Sequence, residues 1–254
     1  MLWSSLEHGQ LLAEALIMEF ILAVLVVFVG SYVQTSIGFG LALIAAPILF
    51  FINPDFVPAA VTVSALTLSL AISHSHRRHI SFRGLKFAIM GRVPGTVAGG
   101  TLLLWVDQRT LALWLGISVV FAVALTLKRI VLRPTPRVLF SAGFLSGFMG
   151  TGSSIGGPPM ALVLQHEESG YIRANLAAFF VVSSCMSLTM LALVDRFGLQ
   201  EIKLSLPLMP ATLLGYWLAM KTLHLISHQN LRRASLVLCS LAGCAAIASY
   251  WIQF

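Results

Sequence analysis

The residue types able to do chemistry in this chain gather in two short segments. One is Gln34-Thr35-Ser36-Ile37-Gly38-Phe39-Gly40, and the other is Gly150-Thr151-Gly152-Ser153-Ser154-Ile155-Gly156-Gly157-Pro158-Pro159. Each mixes glycine and hydroxyl residues inside an apolar run, and prolines close the second. Gly38, Gly40, Gly152 and Gly156 permit backbone angles that other residues avoid, while proline lacks an N–H and clashes with the preceding turn. The combination predicts a helix that breaks and restarts, with proline at the new first turn. Unwound backbone in hydrocarbon is costly unless it lines a buried or wet cavity. Helices restarting at Gly38–Leu41 and Gly157–Met160 would aim N–H groups and positive dipole ends at such a cavity. The Gln34 amide and the hydroxyls of Thr35, Ser36, Thr151, Ser153 and Ser154 add donors. Neither segment contains Asp or Glu, and a donor-rich, acid-free site suits a small oxyanion. The competing reading is close helix packing through small residues.

Arg92 is the one basic residue clearly inside an apolar run, two positions before Pro94. A charge at membrane depth suggests a functional site, here for anion binding; the alternative is that it snorkels to the interface near Lys86. His74, His76 and His79 stand beside Arg77 and Arg78, cations that would repel a metal, and read as a solvated loop. Cys185, Cys239 and Cys244 lie in apolar runs without ligand or disulfide spacing. No metal site and no cofactor are expected. Gly152-Ser153-Ser154-Ile155-Gly156 fits the G-x-S-x-G pattern of a hydrolase elbow, but that motif needs a strand–turn–helix setting and a His/acid partnership. Neither is offered, so an enzyme is not expected. Glu14 and Glu19 mark the start of the first run, and no other carboxylate lies deep in a span.

The elements that must position these residues are membrane helices. Of 254 residues 58% are hydrophobic and 10% charged, against about 25% charged in soluble domains, and mean hydropathy is +0.92. Apolar runs long enough to span, about 20 residues, cover 11–33, 56–73, 85–105, 110–127, 138–164, 174–194, 202–221 and 233–253, with a further stretch at 41–52. The expectation is an all-α polytopic membrane protein with about eight transmembrane helices. The net charge of +7 does not point to nucleic acid. Arg77, Arg78, Arg83, Lys86 and Lys128, Arg129, Arg133, Arg137 form two acid-free segments, 74–86 and 128–137, that read as cytoplasmic loops. No Lys or Arg precedes Arg77, so the first run is expected to be retained as a span rather than removed as a signal peptide.

The chain also resembles itself. Ser36-Ile37-Gly38 matches Ser154-Ile155-Gly156 at an offset of 118, and Pro94-Gly95-Thr96 with Gly99 matches Pro210-Ala211-Thr212 with Gly215 at an offset of 116. This suggests two related halves, 1–133 and 134–254, each with a broken or re-entrant glycine-rich segment. If 138–164 crosses once, Arg232 and Arg233 lie outside, against the charge bias. If it enters and leaves on one side they lie inside and the halves are inverted, as in many transporters; the second arrangement is preferred.

On these two segments, on Pro94 with Gly99, and on Arg173-Ala174-Asn175, the sequence resembles the TauE/SafE family of sulfite exporters over residues 15–250. The resemblance implies a multi-pass protein of the bacterial cytoplasmic membrane, with two repeats of about four spans, moving sulfite, thiosulfate or sulfonates. It carries the substrate-site region onto Gln34, Ser36, Gly38, Thr151, Ser153 and Ser154. The partners expected are a small anion and membrane lipid, with homo-oligomerisation left open. An anion channel or a membrane-assembly protein are the alternatives to an exporter working by alternating access.

Overall fold

Hydrocarbon leaves a backbone no external hydrogen-bond partner, so a chain of this composition satisfies itself by helix formation. The computed structural model describes residues 2–127, 132–223 and 228–252; Lys128 and Arg129 of the second basic segment lie outside them. Eleven α-helices occur among the described residues: α1 (Leu2–Ile37), α2 (Leu41–Ile52), α3 (Ala59–Ser75), α4 (Phe82–Leu102), α5 (Gln108–Leu127), α6 (Pro136–Ser153), α7 (Gly157–Leu164), α8 (Ser169–Leu193), α9 (Leu199–Ser205), α10 (Leu208–Thr222) and α11 (His228–Ile252). Described residues include no strand. Start signals are local. Thr135 Oγ1 accepts the Val138 N–H and Pro136 opens α6, the favoured chemistry for a first turn. At α5 the Thr110 N–H donates to Asp107 Oδ1 at 2.9 Å, and the Thr110 hydroxyl and amide hold that carboxyl below its usual pKa.

Among the described residues, five helices are long and apolar enough to cross a membrane: Leu16–Ile37, Gln108–Leu127, Gly170–Leu193, Leu199–Thr222 and Gln229–Trp251. The eight expected runs are therefore only partly met by this measure. Helices α2 and α3 are apolar but shorter, and α4 carries Arg83, Lys86 and Arg92. Outward faces are apolar: Leu16, Ile17, Leu25, Val93, Val97, Leu214 and Trp217 are all exposed. A soluble protein would hide such a surface; lipid accepts it.

Small residues decide which helices touch. In α4, Gly91, Gly95 and Gly99 recur every four residues and meet the backbone carbonyls of Phe140, Phe144 and Phe148 in the same order. Gly143 answers at Ala88, and Gly147 at Arg92 and Thr96. Helices α4 and α6 thus run parallel with backbones in contact, the small-xxx-small mode of membrane helices. Gly215 of α10 meets Phe28, Ser31 and Tyr32 of α1 in the same manner, and the Tyr32 and Thr222 hydroxyls bond at 2.7 Å. Helix α5 runs antiparallel to α11, with Gly116 against Ile247 and Gly243 against Val119. Helix α3 packs along α8.

The glycine-rich segments fall between helices. Helix α1 ends at Ile37 and α2 begins at Leu41; α6 ends at Ser153 and α7 begins at Gly157. Both ends and both starts are 116 residues apart, the offset of the proline match. The Ser-Ile-Gly match at 118 is two residues out of this register: Ser154, at φ 63, stands where Gly38 stands, at φ 100. Each closes its helix in the left-handed region, which glycine enters freely and serine at a cost.

Candidate functional site

Each new helix folds back along the one before it. Leu41 lies against Gly30, and its N–H donates to Gln34 Oε1 at 3.0 Å. In the second segment Ser146 Oγ donates to the Gly156 carbonyl, bringing residue 156 level with 146. The starts of α2 and α7 thereby meet, and Phe39 packs over Gly157. Between them lies a cavity of about 50 Å³, whose lining includes Gln34, Gly40, Leu43, Thr62, Arg92, Ser154, Gly156, Ser183, Ser184 and Ser187. One buried water needs about 10–15 Å³, so the space suits a few waters or one compact oxyanion. Both helix N-termini contribute wall residues, Gly40, Ala42 and Leu43 from one and Gly156, Gly157 and Pro158 from the other. Their positive dipole ends act on the same volume.

Arg92 reaches this cavity from α4. It is 3% exposed, so it does not snorkel. Its Nη1 donates to Ser146 Oγ at 2.8 Å, and its Nη2 donates to Ser187 Oγ at 2.9 Å and to the Ser183 carbonyl at 3.3 Å. Its Nε has no partner among the described residues, and the guanidinium lies 5.6 Å from the Phe179 ring centre. Among the described residues all of its partners are neutral, and no Asp or Glu lines the cavity. A buried cation without a carboxylate is a strong attractor for an anion.

The structure brings Gln34, Gly40, Arg92, Ser154 and Gly156 to the cavity wall. It does not bring Thr35, Ser36, Gly38, Thr151, Gly152 or Ser153 there. The hydroxyls of Thr35, Ser36 and Ser153 donate to the carbonyls of Ser31, Tyr32 and Met149, one turn back in their own helices. Such back-bonding is the local alternative for a serine or threonine denied water. Thr151 shares a hydrogen bond of 2.9 Å with Ser187 and so supports the Arg92 partner from behind. Gly152 lies against Trp114 Nε1, and Gly38 against Leu176 and Ile172. The N–H supply is also smaller than the segments suggest. Pro158 and Pro159 occupy two first-turn positions of α7 and have no N–H, and the Leu41 N–H is already taken by Gln34.

Sequence reasoning passed over Thr62 and the α8 serines. Thr62 Oγ1 lies 3.2 Å from Ser154 Oγ, which donates to the Pro58 carbonyl at 2.8 Å. Ser183, Ser184 and Ser187 recur at helical spacing in an apolar run, a signal that was present in the sequence. Two residues of the motif at the α8 entry have defined roles. Arg173 Nη2 donates to the Ser36 carbonyl at 3.2 Å, tying down the end of α1. Asn175, fully buried, donates to the His79 and Tyr171 carbonyls and accepts the Ser81 N–H. It thereby fixes the 76–81 loop, and the three histidines there do not form a metal-binding group among the described residues.

A bundle of apolar helices clad in outward hydrophobic side chains, with a small serine-lined cavity at its centre, is a multi-pass membrane protein. The chain belongs to the sulfite exporter TauE/SafE family, whose profile matches residues 22–246, and is therefore a membrane transport protein. Neither the curated proteins nor the solved structures gave a match.

Proposed function

We propose that this protein exports a small sulfur oxyanion, sulfite or a short organosulfonate, from the bacterial cytoplasm by alternating access at the cavity beside Arg92. One observation carries the reading: a buried guanidinium with only neutral partners shares an acid-free cavity with the N-termini of α2 and α7. The substrate supplies the missing negative charge. Its oxygens accept from the Arg92 guanidinium and the Ser184 hydroxyl, while the Ser154 and Thr62 hydroxyls, which donate to the Pro58 carbonyl, shape the wall, and the two helix dipoles lower its energy in a low-dielectric surround. No carboxylate lines the cavity, so a proton moved with the anion travels on the anion itself.

The architecture we infer is two inverted halves, 1–133 and 134–254, with eight spans and two returning segments, α2 and α7. Packing supports it. Helix α4 lies on α6 as α10 lies on α1, while α3 pairs with α8 and α5 with α11. Such a pattern is what a two-fold axis in the membrane plane produces. Phe20 meets Phe56 edge-on at 5.9 Å, and Phe51 and Pro54 share a cavity wall with Gln108, so α1 enters and α2 leaves at the Asp107 end. Helix α6 starts level with the start of α4, and α7 leads into α8 beside Ser81, so that segment enters and leaves at the basic end. Arg77, Arg78, Arg133, Arg137, Arg232 and Arg233 then share the cytoplasmic side, as the charge bias requires.

Flux of sulfite and of sulfonates into liposomes holding purified protein, with and without a pH gradient, tests this. Arg92→Gln keeps size and polarity but removes the charge, and should weaken apparent anion affinity roughly ten- to hundredfold, the worth of a hydrogen bond to a charged group. Unchanged flux in a folded Arg92→Gln protein would refute the site.

A further inference from the structure

The central cavity has a neighbour. A second cavity of about 140 Å³ is lined by Ile37, Thr126, Pro158, Ile172, Arg232 and, at its inner end, Phe39. Phe39 and Pro158 belong to both cavities. The second one opens on the basic face: Ile172 is one turn from Asn175, which is bound to His79 and Ser81. Arg232 is anchored there, its Nη2 donating to the Thr126 carbonyl in the last turn of α5 at 2.8 Å. A fixed cation at the mouth of a narrow passage raises the local concentration of anions.

Phe39 is mounted as a movable part. It stands between Gly38 at φ 100 and Gly40 at φ 131, conformations that residues with a Cβ rarely adopt. Glycine populates both halves of φ space with little preference, so both flanking peptide planes turn without a Cβ clash. The side chain is only half-buried, and it packs against both apolar clusters of the molecule rather than inside one. Its Cβ lies 3.3 Å from where a side chain on Gly157 would begin, so the ring covers the start of α7.

We propose that Phe39 is the access-controlling residue between a cytoplasm-facing anion vestibule marked by Arg232 and the central cavity at Arg92, swinging on its two glycines to admit the substrate. The proposal rests on the central cavity being the transport site, but its test does not need transport. The cavity residue Ala65 is changed to Cys, with Ser184→Cys as a second reporter should the first fail to fold. Reaction with a charged, membrane-impermeant thiol reagent is followed in inside-out and right-side-out vesicles, against the parent protein as control. From the cytoplasmic side, Phe39→Ala should speed labelling by at least about tenfold, since a closed gate is open no more than about 10% of the time. Phe39→Trp should slow it, and labelling from the other side should ignore both changes. Rates that do not respond to Phe39, or labelling faster from the outer side, would overturn the gate. Ethanesulfonate, which does not react with thiol reagents, should protect the Ala65→Cys reporter. A rate that depends on Phe39 but is not slowed by ethanesulfonate would leave the gate standing and overturn the anion reading.

Discussion

Gly147→Ala offers a calibrated test of how the Arg92 turn is held. A Cβ on Gly147 would lie 2.7 Å from the Arg92 carbonyl oxygen and 2.8 Å from the Thr96 nitrogen, where ordinary contact begins at 3.4 Å. The helices must therefore part by about 0.7 Å, because both obstacles are helical backbone that cannot swing aside. Overpacking of this kind costs about 1–3 kcal/mol. Alanine's better helix propensity returns about 0.5–1 kcal/mol, leaving a net loss of up to about 2.5 kcal/mol, centred on about 1 kcal/mol. Gly170→Ala, near the start of α8 with nothing within 4 Å, is the matched control and should be neutral or slightly stabilising. Thermal unfolding of both variants in detergent gives the stabilities, and liposome flux gives the function. Because the displaced atoms belong to the turn that carries Arg92, Gly147→Ala should also depress sulfite flux, whereas Gly170→Ala should not. Equal stability of the two variants would refute the close-contact reasoning, and an unchanged flux in a destabilised Gly147→Ala would separate the α4–α6 contact from the site.

Gln34→Glu keeps an acceptor for the Leu41 N–H but puts a carboxylate on the acid-free wall; anion flux should be lost at neutral pH while the protein purifies and melts like the parent. Asn175→Ala strands the Ser81 N–H and two carbonyls in a buried place, and at about 1–3 kcal/mol for an unsatisfied group it should lower the melting temperature measurably without changing the substrate preference of the remaining flux. Ser187→Ala removes one of the two acceptors of Arg92 Nη2 and the partner of Thr151 together, so apparent sulfite affinity should fall, though by less than in Arg92→Gln, when both are titrated in the same flux assay.

The membrane class was readable because composition reports the solvent directly: a chain with one charged residue in ten has nothing with which to cover a surface in water. The interruptions at 38–40 and 154–156 were readable from glycine and proline chemistry. Which side chains face the cavity was not. Thr35, Ser36 and Ser153 have the right type and neighbourhood, but helical rotation and back-bonding to the preceding turn spend their hydroxyls. Arg92 posed the same ambiguity in charge. Its inward direction is set by Gly91 and Gly95 on one side of α4 and by Val93 and Val97 on the lipid side, a facing decided by partners far away in the chain. The offset of 116 between the helix ends was present in the proline match, while the Ser-Ile-Gly match at 118 lies two residues away from it. Asn175 was legible only as part of a motif, its function depending on the His79 carbonyl and the Ser81 N–H nearly a hundred residues upstream.

The crossed packing of the glycine faces has a consequence for biosynthesis. Helix α1 is made well before its close partner α10, with eight helices between them among the described residues. For most of translation α1 must reside in the bilayer with its Ser31 face bare to acyl chains, and it is the most apolar of the five candidate spans. The order of synthesis thus makes the most apolar of these spans before its partner, and the contact of Gly215 with the α1 backbone closes only once α10 arrives.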